Sequence, residues 1–166
     1  MEDVNAFTPG RKMVGRARTL RMVPPRPDIH AEVTRGVDSP EYHATLPFIR
    51  MVTGPADYLP GTVNNAQPDE FRLVVQRPMG RGTRAHSMAL CVVIESPMRM
   101  LPDSPPDYYR EDACTRFMAE IPVEWDELRV LHSKVGDYVA VARRHGEEWF
   151  VGAITDQDAR DLDMDC

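Results

Sequence analysis

A chain of 166 residues with 42% hydrophobic content has the length of one ordinary domain and enough apolar material for a core. Its formal net charge of -6 argues against a general nucleic-acid binder, and no apolar run reaches the length of a membrane span. The three cysteines, Cys91, Cys114 and Cys166, are too few and too scattered for a disulfide framework or a zinc site.

Taken in order, Met1 to Asp28 shows no sustained apolar period. Pro24-Pro25-Arg26-Pro27 would break any regular element placed there, so the segment reads as a disordered or foreign leader. Its cations Arg11, Lys12, Arg16, Arg18 and Arg21 face an acidic far end carrying Asp156, Asp158, Asp161, Asp163 and Asp165, and both ends read as solvated. The first residues lack the apolar core of a signal peptide, which as the chain stands predicts a cytoplasmic product. Between His30 and His43, Glu32 and Glu41 are the carboxylates available for acid-base work, but no apolar neighbours would raise either pKa, and they read as solvated loop residues.

Phe48, Ile49, Met51 and Val52 have strand composition and predict a buried parallel strand that stops at Gly54-Pro55. Arg50 and Asp57 lie at its far end, where a barrel enzyme places substrate-binding residues; an Asp capping its own loop with Arg as its ion-pair partner is the simpler alternative. Thr62 to Arg84 is a long polar connection. Its Gly80-Arg-Gly-Thr lacks the preceding strand and the Lys-Ser/Thr pair of a phosphate loop.

From Arg84 to Glu95, Ala85, Met88, Ala89, Val92 and Val93 follow helical spacing, although Leu90 to Ile94 also reads as a strand. His86 near its start reads as a hydrogen-bonded structural histidine. Asp103 to Asp107 is a turn, and Arg110 to Glu120 a helix with Cys114, Phe117, Met118 and Ile121 on one face and Pro122 as its stop. Leu128 to Leu131, Tyr138 to Ala142 and Trp149 to Ile154 are three β runs. The last two form a hairpin turning at Gly146, with Arg143 and Glu148 able to pair across its ends. Tyr138 and Trp149 read as sheet core, with a sugar-stacking platform as the alternative.

Leu46-Pro-Phe-Ile-Arg-Met-Val-Thr-Gly-Pro-Ala-Asp-Tyr-Leu-Pro-Gly61 resembles a segment late in the catalytic barrel of glycoside hydrolase family 97, the α-glucosidase and α-galactosidase family. The resemblance continues collinearly through Gly82-Thr-Arg-Ala-His86, Glu95 to Ser104, Cys114 to Pro122, Trp125 to Leu131, Gly136 to Arg144 and Trp149 to Thr155. It implies an α+β chain made of the last strand and helices of a (β/α)8 barrel followed by part of an antiparallel β-sandwich linked with oligomerisation. It favours a helix over a strand at 84–95 and divides the chain into a leader at 1–28, barrel at 29–121, sandwich at 122–155 and acidic tail at 156–166.

The function implied is α-glycosidic hydrolysis of α-linked oligosaccharides, with calcium as the family's cofactor and a possible homo-oligomer. Glu32 to Val37 is similar in outline to the family's glutamate-bearing segment but its residues do not fall at matching positions. No catalytic or metal-binding residue is therefore carried over, and this chain alone is expected to be inactive. A non-catalytic module that associates through its sheet is the alternative. Family members are exported, so a longer gene would imply a periplasmic or secreted product. A single barrel strand leaves its apolar face uncovered, which predicts low stability or self-association.

Overall fold

The computed structural model describes residues 39–163 except 57, 68, 73 and 75–78. The leader, Glu32, Asp57 and part of the polar connection lie outside the described residues.

The first described element corrects the expected strand. Residues Pro40–Ile49 form helix α1, followed by a single 3-10 turn at Met51–Thr53. The helix signals lie just upstream of the apolar run. Ser39 caps the N-terminus by accepting from the Tyr42 N–H at 3.3 Å, Pro40 occupies the first turn where its missing N–H costs nothing, and Glu41 lies at the positive end of the helix dipole. His43, Ala44 and Leu46 are buried at helical spacing. Ile49 and Val52, which a covered strand would bury, are 55% and 73% exposed. Pro47 sits in the last turn, and the helix ends within three residues of it, with the Arg50 N–H closing on the Leu46 carbonyl at 2.8 Å.

Asn65–Ala66 (β1) and Gly80–Arg81 (β2) form a two-residue parallel bridge within the polar connection. Helix α2, Arg84–Val93, starts at Thr83, whose side chain accepts from the His86 N–H, and stops where Ile94 turns extended. The Ile94 N–H bonds the Leu90 carbonyl at 2.9 Å, so the strand alternative at 90–94 loses to a completed helical turn. Residues Pro105–Arg110 form a short α3 that begins inside the expected turn and runs to the expected start of the next helix, and Glu111, at φ -104° and ψ 48°, breaks it from α4, Asp112–Glu120. Met118 and Ile121 are buried and Cys114 and Phe117 partly so, the face expected from spacing.

The chain closes with an antiparallel sheet in the order β3 (Glu127–Lys134), β4 (Tyr138–His145), β5 (Glu148–Thr155). Gly146, at φ 59°, supplies the tight β4–β5 turn. Residues directly opposite in the ladder share a face. One face therefore carries Val139, Val141 and Arg143 with Ile154, Gly152 and Phe150; the other carries Ala140, Ala142, Arg144, Arg129 and Trp149.

Helix α2 lies on the first face. A Cβ on Gly152 would meet the Val92 Cβ at 2.8 Å and the Ala89 carbonyl at 3.0 Å, so the helix rests almost directly on the strand backbone. The core runs continuously through Leu46, Tyr58, Leu90 to Ile94, Met118, Ile121, Val139, Val141 and Ile154, joining helices and sheet. Trp149, at 3% exposure, is sheet core covered by the Arg129 guanidinium 4.5 Å from its ring centre, which removes the stacking-platform alternative for that ring.

The expected Arg143–Glu148 pair does not form. The ladder places Glu148 opposite His145 and Arg143 opposite Phe150, on the helix-facing side, where Arg143 is 1% exposed and bonds Glu95 instead.

Candidate functional site

The two expected substrate-binding residues end up in different circumstances. Arg50 is the half-buried C-terminal cap of α1, seven residues and hence about two turns after His43. Asp57 falls outside the described residues, but its neighbours Ala56 and Tyr58 are 5% and 3% exposed, so the loop carrying it is anchored in the core on both sides.

The anchor is a buried polar chain that sequence reading did not assemble. Tyr58 Oη lies 2.8 Å from His43 Nε2, and His43 Nδ1 lies 2.8 Å from His86 Nε2. The histidines are 2% and 1% exposed. A single proton lies between the two imidazoles, so one ring donates and the other accepts, and the phenol completes the chain on the far side. Three separate elements, α1, the 54–61 loop and the start of α2, are thereby tied to one another by hydrogen bonds in low-dielectric surroundings, where such bonds are strengthened. His86 matches its expected structural role. The missed residue is His43, whose signal was its place at helical spacing behind the Ser39-Pro40 start.

A second set of contacts holds the loop that follows. Asp103 Oδ2 accepts from the backbone N–H groups of Val63 at 2.6 Å and Asn64 at 2.9 Å. Tyr108 Oη accepts from the Asp103 N–H at 3.1 Å and donates to the Gly61 carbonyl at 3.2 Å; burial pushes its phenol up to about 12. Arg99 forks onto three carbonyls, Cys91 at 2.9 Å, Ile121 at 3.0 Å and Pro122 at 2.9 Å. It ties α2 to the connection entering the sheet, and its burial lowers its own pKa from the usual guanidinium value. Cys91 is a fully buried thiol pushed up to about 11 by desolvation, with the nearby Arg99 charge opposing. It behaves as core rather than as a nucleophile.

Glu41, expected on a solvated loop, is exposed in the first turn of α1 and accepts from the Ser39 hydroxyl at 3.3 Å. Among the described residues no group of three or more His, Cys, Asp or Glu side chains is placed to hold a metal ion. No described helix is long and apolar enough to cross a membrane.

Residues 124–166 match the family model described as the glycosyl hydrolase 97 C-terminal, oligomerisation region. Over 130 residues the chain is 48% identical to a retaining alpha-galactosidase of Bacteroides thetaiotaomicron, covering 78% of this chain and 20% of that protein. It is 30% identical over 116 residues to a probable retaining alpha-galactosidase of Streptomyces bingchenggensis, covering 70% of this chain and 17% of that one. Among solved structures, a glycoside hydrolase family 97 enzyme from Pseudoalteromonas sp. strain K8 in complex with panose superimposes with a TM-score of 0.62 at 31% identity, over 74% of this chain and 19% of its own. The chain thus spans at most about a fifth of the length of the relatives it matches. By sequence and by fold, the chain belongs to glycoside hydrolase family 97.

Proposed function

We propose that this chain is the part of a family 97 α-glycosidase that carries the end of the catalytic domain into the oligomerisation domain, and that it performs no hydrolysis by itself. The observation that carries the reading is the 48% identity to a retaining alpha-galactosidase across both the helical half and the sheet. It makes an α-galactoside the substrate class of choice for the whole enzyme. Glycosidic cleavage requires two carboxyl groups held across the scissile bond, one protonated and one ionised. No such pair is supplied by the groups described above. What the chain contributes is position: the Tyr58–His43–His86 network holds the loop bearing Asp57 against α1, and Arg50 at the end of that helix is proposed with Asp57 to contact the sugar.

The alternative reading, a non-catalytic module that associates through its sheet, is favoured by the match of 124–166 to the oligomerisation region and is compatible with the first. The compartment is proposed to follow the coding sequence upstream: a signal peptide there would direct the product to the periplasm or beyond, and without one it would stay in the cytoplasm.

The test has two parts. The purified, folded chain is incubated with aryl α-galactoside and α-glucoside in the presence of calcium, and turnover at the level of the buffer blank is expected; turnover clearly above it would overturn the inactive-alone reading. Residues 39–163 are then exchanged for the matching segment of the Bacteroides thetaiotaomicron alpha-galactosidase. The chimaera is expected to keep α-galactosidase activity and to lose about tenfold or more in kcat/KM on Arg50→Ala. A folded chimaera with no activity, or one indifferent to Arg50→Ala, would count against the assignment.

A further inference from the structure

The buried chain of Tyr58, His43 and His86 can take up one added proton but not two. With both imidazoles neutral, one arrangement satisfies each link: Tyr58 Oη–H donates to His43 Nε2, and His43 Nδ1–H donates to His86 Nε2. A first added proton is accommodated on His43, which then donates from Nδ1 to His86 and from Nε2 to the phenol oxygen. A second has only His86 Nε2 to occupy, because the other nitrogen of that ring already carries its hydrogen. Two N–H groups would then face each other across 2.8 Å, on cationic rings whose centres are 5.0 Å apart.

His43 lies at the start of α1 and His86 in the first turn of α2, so the positive ends of two helix dipoles meet there. The charged and titratable groups on the surrounding elements are few. Helix α1 brings the exposed Glu41 and, at its end, Arg50; α2 brings Arg84, which pairs with Glu111, and the buried Cys91. Arg81, before α2, lies over the Phe71 ring. The helix-facing side of β4 and β5 carries Arg143, held by Glu95, and His145 opposite Glu148 at the hairpin end. Whatever these groups contribute, the gap between His43 Nδ1 and His86 Nε2 holds one hydrogen.

We propose that the His43–His86 bond is a one-proton latch. Near neutral pH it closes α1, α2 and the 54–61 loop on one another, and acid that protonates both rings opens the loop while the sheet stays folded. His43 and His86 thereby become positioning residues for Arg50 and Asp57, a step that rests on the sugar-contact reading above; the latch itself does not.

The test is amide hydrogen exchange of the full chain by NMR, corrected for the intrinsic pH dependence of exchange, from about pH 7.5 to about pH 4.5. The Ala56 N–H, bonded to the Glu95 carbonyl at 2.9 Å, reports on the loop, and the amides of β4, the middle strand, report on the sheet. Protection of Ala56 is expected to fall about tenfold or more toward acid pH while β4 keeps its own. His86→Gln, whose amide oxygen accepts from His43 whether that ring is neutral or charged, is expected to keep Ala56 protected throughout. Tyr58→Phe, which leaves the imidazole pair but unties the loop, is expected to expose Ala56 already at neutral pH.

Ala56 protection that is the same at every pH would overturn the latch. Simultaneous loss in β4 would overturn it in favour of global acid unfolding. Acid opening that persists in His86→Gln would place the titration elsewhere, and full protection of Ala56 in Tyr58→Phe would uncouple the loop from the pair. None of these outcomes bears on whether Arg50 and Asp57 contact sugar, which the chimaera decides.

Discussion

Arg143 Nη1 donates to Glu95 Oε2 at 2.8 Å, linking the middle strand of the sheet to the segment just past α2, and its Nη2 donates to the Val93 carbonyl at 3.2 Å. Forty-eight residues separate the partners in sequence. Burial lowers the pKa of Arg143 from the usual guanidinium value, and the hydrogen bond to Glu95 opposes that shift. The cation is almost wholly enclosed while its carboxylate is 31% exposed. The cost of breaking the pair therefore depends on which partner is removed. Glu95→Ala leaves an enclosed charge without its carboxylate and is expected to destabilise the chain by about 3 kcal/mol; Arg143→Met, which replaces the charge by apolar volume, is expected to cost clearly less. Urea unfolding of the two variants at neutral pH measures the difference, and equal losses would show that the geometry rather than the buried charge dominates.

The buried chain of Tyr58, His43 and His86 predicts strong coupling. His43→Leu removes its side-chain hydrogen bonds to Tyr58 and His86 at once and is expected to cost about 2 to 4 kcal/mol. Combining it with Tyr58→Phe should cost less than the sum of the single changes, because the phenol has already lost its histidine. A double-mutant cycle by chemical denaturation checks this, and strict additivity would mean that the two groups do not act as a network.

Contact between α2 and β5 predicts a volume effect at one glycine. The Cβ of Gly152→Ala would lie 2.8 Å from the Val92 Cβ, so the helix must move away or the side chain must give. A loss of about 2 kcal/mol is expected, and Val92→Ala, which keeps the clashing Cβ, is expected not to recover it. Stability of the single and double variants measured side by side decides it.

Alkaline pH should weaken the fold in a defined window. An unfolded chain releases the Cys91 thiol proton near 9.0 and the Tyr108 phenol proton near 10.0, whereas the folded chain holds them to about 11 and about 12. The unfolded state gives up protons first. The contribution of these groups is therefore complete below pH 9 and is lost as pH rises toward about 12. Urea midpoints taken from pH 8 to pH 11 should fall, with a shallower fall over that range in Cys91→Ala. In native protein at neutral pH, a thiol reagent should modify the half-buried Cys114 well before the buried Cys91.

The three sheet strands, the helix at 84–93 and the helix ending at Glu120 were legible because each satisfies its period locally. Valines and alanines alternate in β4, and apolar residues recur every three to four positions in α2 and α4. The region at 46–52 was misread because a short apolar run cannot tell strand from helix, and the deciding signals, Ser39, Pro40 and Glu41, lie outside the run they govern. Sequence by itself determined the local elements, the place of Gly146 in its turn and, through collinear motifs, the family. Only the tertiary structure decided the partners of the buried polar groups. Arg143 met Glu95 rather than Glu148 because strand parity turned it toward α2, and His43 met His86 and Tyr58 because packing brought three distant segments within hydrogen-bond distance. Spacing along the chain carries no information on such meetings. They are set by which faces must be buried together, and a polar group enclosed there requires whatever partner the packing supplies.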